Sequence, residues 1–121
     1  MTRTVLTIDD SKAIRDMVAF TLGSQGYDVI GAENGAVGLE KYRSQRLALV
    51  ITDLNMPVMN GLDFIRNARR ETVNAGVPIV MLSTENKPEL KAEGKAAGAT
   101  GWIDKPFDAE LLAAVARKLA G

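Results

Sequence analysis

The chain has 121 residues, 46% hydrophobic and 25% charged, the balance of one soluble globular domain. Fifteen basic and fifteen acidic side chains cancel, which argues against an electrostatic grip on nucleic acid or on an anionic membrane. With no cysteine and no histidine, disulfides, thiolate metal sites, a Ser-His-Asp triad and a His-containing zinc site are excluded, and the remaining chemistry is that of carboxylates, hydroxyls, lysine, arginine and backbone.

Met1-Thr2-Arg3-Thr4 carries no signal-peptide pattern, and the longest apolar runs, Leu47 to Ile51 and Val77 to Leu82, are too short to span a bilayer. A cytoplasmic protein without membrane insertion is the expectation. Val5-Leu6-Thr7-Ile8 reads as a strand that ends in acids. Ser11 to Ser24 carries Ile14, Met17, Val18 and Leu22 at helical spacing, with Lys12, Arg15 and Asp16 on the other side, and stops near Gly23 and Gly26. Tyr27 to Ile30 is a second strand, and Asn34 caps a second helix whose Val37, Leu39 and Tyr42 point inward. Leu47 to Thr52 is apolar until its end, as a central strand covered on both faces should be. Met56 to Gly61 is a loop, and Asn60 caps a third helix bearing Leu62, Ile65 and Ala68. Val77 to Leu82 is another buried strand. Pro88 fits the first turn of a fourth helix, and Gly98 ends it. Thr100 to Ile103 is a fifth strand, and Asp108 caps a last helix with Leu111, Leu112, Val115 and Leu119 as its apolar stripe. Strands and helices that alternate at this spacing build an α/β domain, a parallel sheet with helices on both faces. Residues 1–121 are expected to form a single domain with no effector domain.

In such a sheet ligands bind beyond the carboxyl ends of the strands, where the winding reverses. Asp9-Asp10 follow the first strand, Asp53 the third, Ser83-Thr84 the fourth and Asp104-Lys105-Pro106 the fifth. Two unit charges at ~4 Å repel by about 4 kcal/mol at an effective dielectric near 20, so three clustered carboxylates need a neutralising partner. An all-oxygen site with few carboxylates suits Mg²⁺, Lys105 can hold an anion beside it, and the Ser83 hydroxyl can donate to another anion oxygen. That set serves phosphoryl transfer, with Asp53 as the nucleophile.

The spacing Asp9-Asp10, Asp53-x-x-Met56-Pro57-x-x-x-Gly61, Ser83 and Lys105-Pro106-Phe107 resembles the receiver domains of bacterial two-component response regulators, over about Thr4 to Leu119. A chain that is only a receiver resembles the stand-alone chemotaxis (CheY-like) type. The resemblance implies a flavodoxin-like fold of five parallel strands in the order 2-1-3-4-5, doubly wound with five helices. It implies that Asp53 accepts a phosphoryl group from a kinase phosphohistidine. Asp10, Asp53 and the backbone carbonyl of Asn55 would bind Mg²⁺ directly, and Asp9 through a water. Lys105 would pair with Asp53 at rest, in a cis Lys-Pro segment, and with the phosphoryl oxygens afterwards. Ser83 and Trp102 would form the switch, and Asn55 and Glu85 would tune dephosphorylation. The implied role is a signalling phosphoacceptor that catalyses only its own phosphorylation and dephosphorylation. Its implied partners are a sensor or chemotaxis histidine kinase, a phosphatase and a downstream target such as a flagellar motor switch protein, with the chain itself a monomer.

Plainer readings stand beside these. Asp9-Asp10 could be a solvated helix cap, Asp53-Leu54-Asn55 a turn, Ser83-Thr84 the start of an ST-type turn, Lys105 a surface lysine and Trp102 a packed aromatic. The alternating charges Glu85, Lys87, Glu89, Lys91, Glu93 and Lys95 read as a solvated helix face, and Arg66, Arg69 and Arg70 as solvent-facing. Two rivals use the same fold. A haloacid-dehalogenase-type phosphatase would place an acid two residues after its nucleophile, where Asn55 stands. A flavin or nucleotide module would need a phosphate loop after the first strand, where acids stand instead.

Overall fold

The computed structural model describes residues 2–121. Five strands, β1 (Thr4–Ile8), β2 (Asp28–Ala32), β3 (Leu49–Thr52), β4 (Ile79–Ser83) and β5 (Gly101–Asp104), alternate with five helices. The helices are α1 (Lys12–Gly23), α2 (Gly35–Ser44), α3 (Gly61–Ala68), α4 (Pro88–Ala97) and α5 (Ala109–Ala120). The sheet is wholly parallel in the order β2-β1-β3-β4-β5, as the family resemblance implies. Winding therefore reverses between β1 and β3, and the ends of those two strands open on a crevice.

The continuous apolar runs of β3 and β4 are explained by burial on both sides. Leu6, Ile8, Val50, Ile79 and Met81 face one way and pack with Leu39, Tyr42, Phe64 and Ile65 of α2 and α3. Val5, Leu49, Ile51, Val80, Leu82 and Ile103 face the other way and pack with Val18 and Leu22 of α1 and Leu112 and Ala116 of α5. Ser11, Asn34, Asn60 and Asp108 each accept a backbone N–H at a helix start, and Pro88 opens α4. Gly98 closes α4 at φ +118°, a left-handed conformation that glycine adopts freely.

The structure corrects several details. Met17 and Leu111 do not belong to the inward stripes: both are about half exposed, because the buried lines of α1 and α5 run through Val18 and Leu22 and through Leu112, Ala113 and Ala116. Phe64 is fully buried, edge-on to Tyr42 at 5.9 Å. Strand β2 starts at Asp28 and continues to Ala32. Leu47 and Val77 are buried but precede their strands.

Arg69 is not solvent-facing. Its guanidinium donates to the Gly98 carbonyl (3.1 and 2.8 Å) and to the Val77 carbonyl (2.7 Å), tying the end of α3 to the end of α4 and the approach to β4. Arg66 bridges Asp63 and Glu93, so α3 and α4 are also linked on their outer side. Asn74, at φ +56°, fastens the α2–β3 connection. Its amide donates to the Tyr42 and Gln45 carbonyls (2.8 and 2.7 Å), its carboxamide oxygen accepts from Leu47 N–H (2.8 Å), and its own carbonyl accepts from the Tyr42 hydroxyl.

Removing such groups strands backbone partners, which costs about 1–3 kcal/mol each. Urea denaturation of Asn74→Ala and Arg69→Ala should each show a loss of about 2 kcal/mol with unchanged m-value, while Arg70→Ala, exposed beside them, should stay within about 0.5 kcal/mol of the parent.

Candidate functional site

The ladders of β1 and β3 each continue one residue past their ends. Asp9 N–H donates to the Ala32 carbonyl (3.0 Å) and Asp53 N–H to the Ile8 carbonyl (2.8 Å), which sets the two acids side by side at the crevice. Asp9 is not the cap of α1. Its carboxylate accepts Ser11 N–H at 2.9 Å, and Ser11 itself caps the helix on Ile14. Arg15, one turn along α1, donates to the main-chain carbonyl of Asp9 at 2.6 Å and braces this segment. Asp10 is exposed on the rim.

Asp53 is nearly buried, and one of its oxygens accepts Leu54 N–H at 2.8 Å. Behind it, a Cβ at Gly61 would stand 2.2 Å from the Asp53 carbonyl oxygen, and Gly61 N–H donates to the Leu54 carbonyl (2.8 Å). The glycine in the Met-Pro-containing motif is thus required by close backbone approach.

One oxygen from each of Asp9, Asp10 and Asp53 lies within 4.8 Å of the others. Oxygens around an octahedral ion at about 2.1 Å sit about 3–4 Å apart, so these hard donors fit a small divalent cation with modest adjustment and waters completing its shell.

Lys105 enters from β5, its N–H bonded to the Ser83 carbonyl (3.0 Å) and its peptide bond to Pro106 cis. Its ammonium lies 2.7 Å from Asp9 and 3.3 Å from Asp53, so it makes the expected pair with Asp53 and a closer one with Asp9. Burial opposes its charge most, but the hydrogen bond and the field of the two carboxylates outweigh that and hold the ammonium above its ordinary range. Asp53 moves the other way on balance. Burial first, then repulsion from Asp9, raise its pKa, although Lys105 and Leu54 N–H pull it down.

Ser83 is buried, and its hydroxyl oxygen accepts Glu85 N–H at 3.0 Å, the local turn of the plainer reading. The Glu85 carbonyl accepts the indole N–H of Trp102 at 2.9 Å. The Trp102 ring lies over Gly94 of α4, where a Cβ would come within 2.9 Å of it. Asn55 and Thr84 are exposed at the rim, and Glu85 is half-buried. Asp9, Asp10, Asp53, Asn55, Ser83, Glu85 and Lys105 therefore lie at this end of the sheet or on the loops beside it, while Trp102 lies within β5 and reaches that loop through its indole N–H. Arg15, the Leu54 N–H and the Gly94 notch escaped that reading. Arg15 acts through a backbone carbonyl, which leaves no residue pattern, and Gly94 becomes legible only once an indole is placed opposite it.

Residues 5–117 match the response regulator receiver domain family. Among curated proteins the chain is similar to the chemotaxis protein CheY1 of Helicobacter pylori, 36% identical over 110 residues that cover 89% of each chain. It is also similar to the alkaline phosphatase synthesis transcriptional regulatory protein SphR of Synechococcus elongatus, 37% identical over 95% of this chain but only 48% of SphR. The chain thus spans about half the length of SphR. Among solved structures the chemotaxis protein CheY4 of Vibrio cholerae superimposes with a TM-score of 0.94 at 44% identity, covering 98% of this chain and 99% of that one. A match across nearly the whole fold, with the acidic cluster at its winding reversal, makes this chain a member of the response regulator receiver domain family of two-component systems, and CheY-like within it.

Proposed function

We propose that this receiver is a single-domain response regulator, residues 1–121, that takes a phosphoryl group onto Asp53 from the phosphohistidine of a sensor or chemotaxis kinase. It then signals in the cytoplasm by protein–protein contact, to a target such as a flagellar motor switch protein. The observation that carries the reading is the meeting of three carboxylate oxygens within 4.8 Å with the Lys105 ammonium against two of those acids. Supporting it, none of the described helices is long and apolar enough to cross a membrane.

Asp10, Asp53 and the Asn55 carbonyl would hold Mg²⁺, with Asp9 acting through a water. Bound there, the ion offsets the negative charge that gathers as the phosphoryl group arrives. An Asp53 oxygen attacks phosphorus in line with the donor nitrogen. The new P–O bond forms as the P–N bond breaks, and the imidazole leaves with its electron pair. The raised proton affinity of Asp53 marks a carboxylate poorly settled as an anion. Lys105 pairs with the phosphoryl oxygens once they are present. Ser83 spends only acceptor capacity on Glu85, so its proton is free to donate to the phosphoryl group. Moving Ser83 toward that group draws on the Glu85 backbone, and Trp102 is bonded to the other end of the same residue. Asn55 and Glu85 tune a short-lived aspartyl-phosphate, with a partner phosphatase shortening it further.

Intact mass after treatment with acetyl phosphate and Mg²⁺ should show a single phosphoryl adduct, absent in Asp53→Asn and absent in chelator, with a change in Trp102 emission that also needs metal. Failure of the parent chain to label under any small donor contradicts the proposal.

Stability should report the same charges. A carboxyl whose folded pKa is raised contributes stability that is full below its ordinary value of 3.8 and is lost as pH rises through the folded value. In chelator at neutral pH, Asp53→Asn should therefore melt above the parent, and the gap should close as pH falls toward that value. Added Mg²⁺ should raise the parent's Tm and raise that of Asp53→Asn much less.

A further inference from the structure

The acids of the site gather where the strands end. At the opposite edge, where the strands begin, the arginines divide into two kinds. Arg43 pairs with Glu71, and Arg69 is spent on backbone carbonyls. Arg3, Arg46 and Arg117 are exposed and have no ion-pair partner among the described residues. Arg117 lies in the last turn of α5, where a basic side chain answers the negative end of the helix dipole. Arg3 and Arg46 lie outside any helix. Arg3 Nε donates to the Ala120 carbonyl at 2.5 Å, which uses one of its five guanidinium donors.

The backbone holds these arginines in place. Ala48 N–H donates to the Thr4 carbonyl (2.8 Å) and Asp28 N–H to the Arg3 carbonyl (2.9 Å), so the segment that carries Arg46 runs beside the one that carries Arg3. Leu47, next to Arg46, is buried with its N–H on the Asn74 side chain. Arg3 and Arg46 line one groove of about 520 Å³ with Thr2, Thr4 and Leu47. Arg3 and Arg117 line a second, of about 380 Å³, with Gln25 and Tyr27. The two grooves meet at Arg3.

We propose that these grooves form one binding site for an oligophosphate anion, with Arg3 at its centre and Arg46 and Arg117 toward its ends. Guanidinium groups that share a groove without a carboxylate repel one another, and an anion relieves the repulsion. The planar fork of donors on each arginine matches phosphate oxygens, and the Thr2 and Thr4 hydroxyls add neutral donors. A single phosphate engages one groove, whereas a chain of phosphates reaches both. The chain can come from an inorganic oligophosphate or from the tail of a nucleotide, whose base would stack on Tyr27. The site lies at the far edge of the sheet from Asp53 and works without it.

The test titrates the chain with sodium tripolyphosphate in chelator at about 0.1 M salt, where a Debye length of about 10 Å screens diffuse attraction. Calorimetry should show saturable binding, unchanged in Asp53→Asn, and backbone amide shifts should centre on Arg3, Thr4, Leu47 and Tyr27. Arg46→Gln should weaken binding about tenfold, as loss of a charge-assisted bond does. Arg70→Gln, exposed at the same edge but lining neither groove, should stay within about twofold of the parent. The Tm of each variant without ligand checks that the fold is kept. Adenosine triphosphate is the second probe. If it binds more tightly than tripolyphosphate and loses that advantage in Tyr27→Leu, the ligand is a nucleotide; equal binding identifies the phosphate chain alone. Absence of saturable binding, shifts centred on the Asp53 edge, or equal weakening by Arg46→Gln and Arg70→Gln overturns the site.

Discussion

The site depends on one ammonium placed among more negative charge than it can balance. Lys105 reaches Asp9 across 96 residues of sequence, and the approach is possible because β1, β3 and β5 end at the same edge of the sheet. One cation against Asp9 and Asp53, with Asp10 close by, leaves the cluster with excess negative charge. Burial first and repulsion from Asp9 second make Asp53 hold its proton more tightly than an ordinary carboxyl, while the two carboxylates make Lys105 hold its own more tightly against the cost of its burial. A pair that was fully satisfied would be structural and inert. This one is tolerable only as long as something positive, or a change in covalent state, can be accommodated.

Around that centre each support has backbone on at least one side. Arg15 braces the Asp9 carbonyl, Leu54 N–H steadies the Asp53 carboxylate, and Gly61 lets α3 begin against the Asp53 peptide. On the far side, Glu85 is gripped by Ser83 through its N–H and by Trp102 through its carbonyl. The hydroxyl and the indole thus share one residue, and displacement of either is felt by the other. Moving a two-state element from 1:99 to 99:1 takes about 5.5 kcal/mol, while a charge-assisted hydrogen bond supplies about 1.5–3 kcal/mol. If Ser83 and Trp102 act as the proposed switch, a partner that favours the switched form would have to provide the balance.

The sequence made much of this legible for definite reasons. Alternation of apolar runs, three polar helix caps and Gly98 defined the elements, and acids at the ends of separate strands defined the site. The strand order came from family resemblance, since periodicity alone does not rank strands. What stayed hidden was set by the rotation of a helix or by a long-range partner. Met17 and Leu111 satisfy helical spacing yet lie outside the contact line once the helices dock. Arg69 looks like its neighbour Arg70 until Gly98 and Val77 present their carbonyls to it, and Asn74 looks like any turn asparagine until α2 ends beside it. Lys105 was expected on Asp53, and the choice of Asp9 as the closer partner depends on a fraction of an ångström that no spacing encodes.

The capping of α2 and α3 carries one more consequence, for chemical durability. Both helices begin with Asn-Gly, at Asn34-Gly35 and Asn60-Gly61, the dipeptide in which the glycine nitrogen most readily attacks the asparagine side chain to form a succinimide and then an isoaspartate. In both places that nitrogen is occupied, Gly35 on the Met59 carbonyl and Gly61 on the Leu54 carbonyl, and both carboxamide oxygens are held by helix N–H groups of Val37 and Asp63. The bonds that start the two helices therefore also guard these two dipeptides against spontaneous ageing, and that protection lapses when the native fold opens.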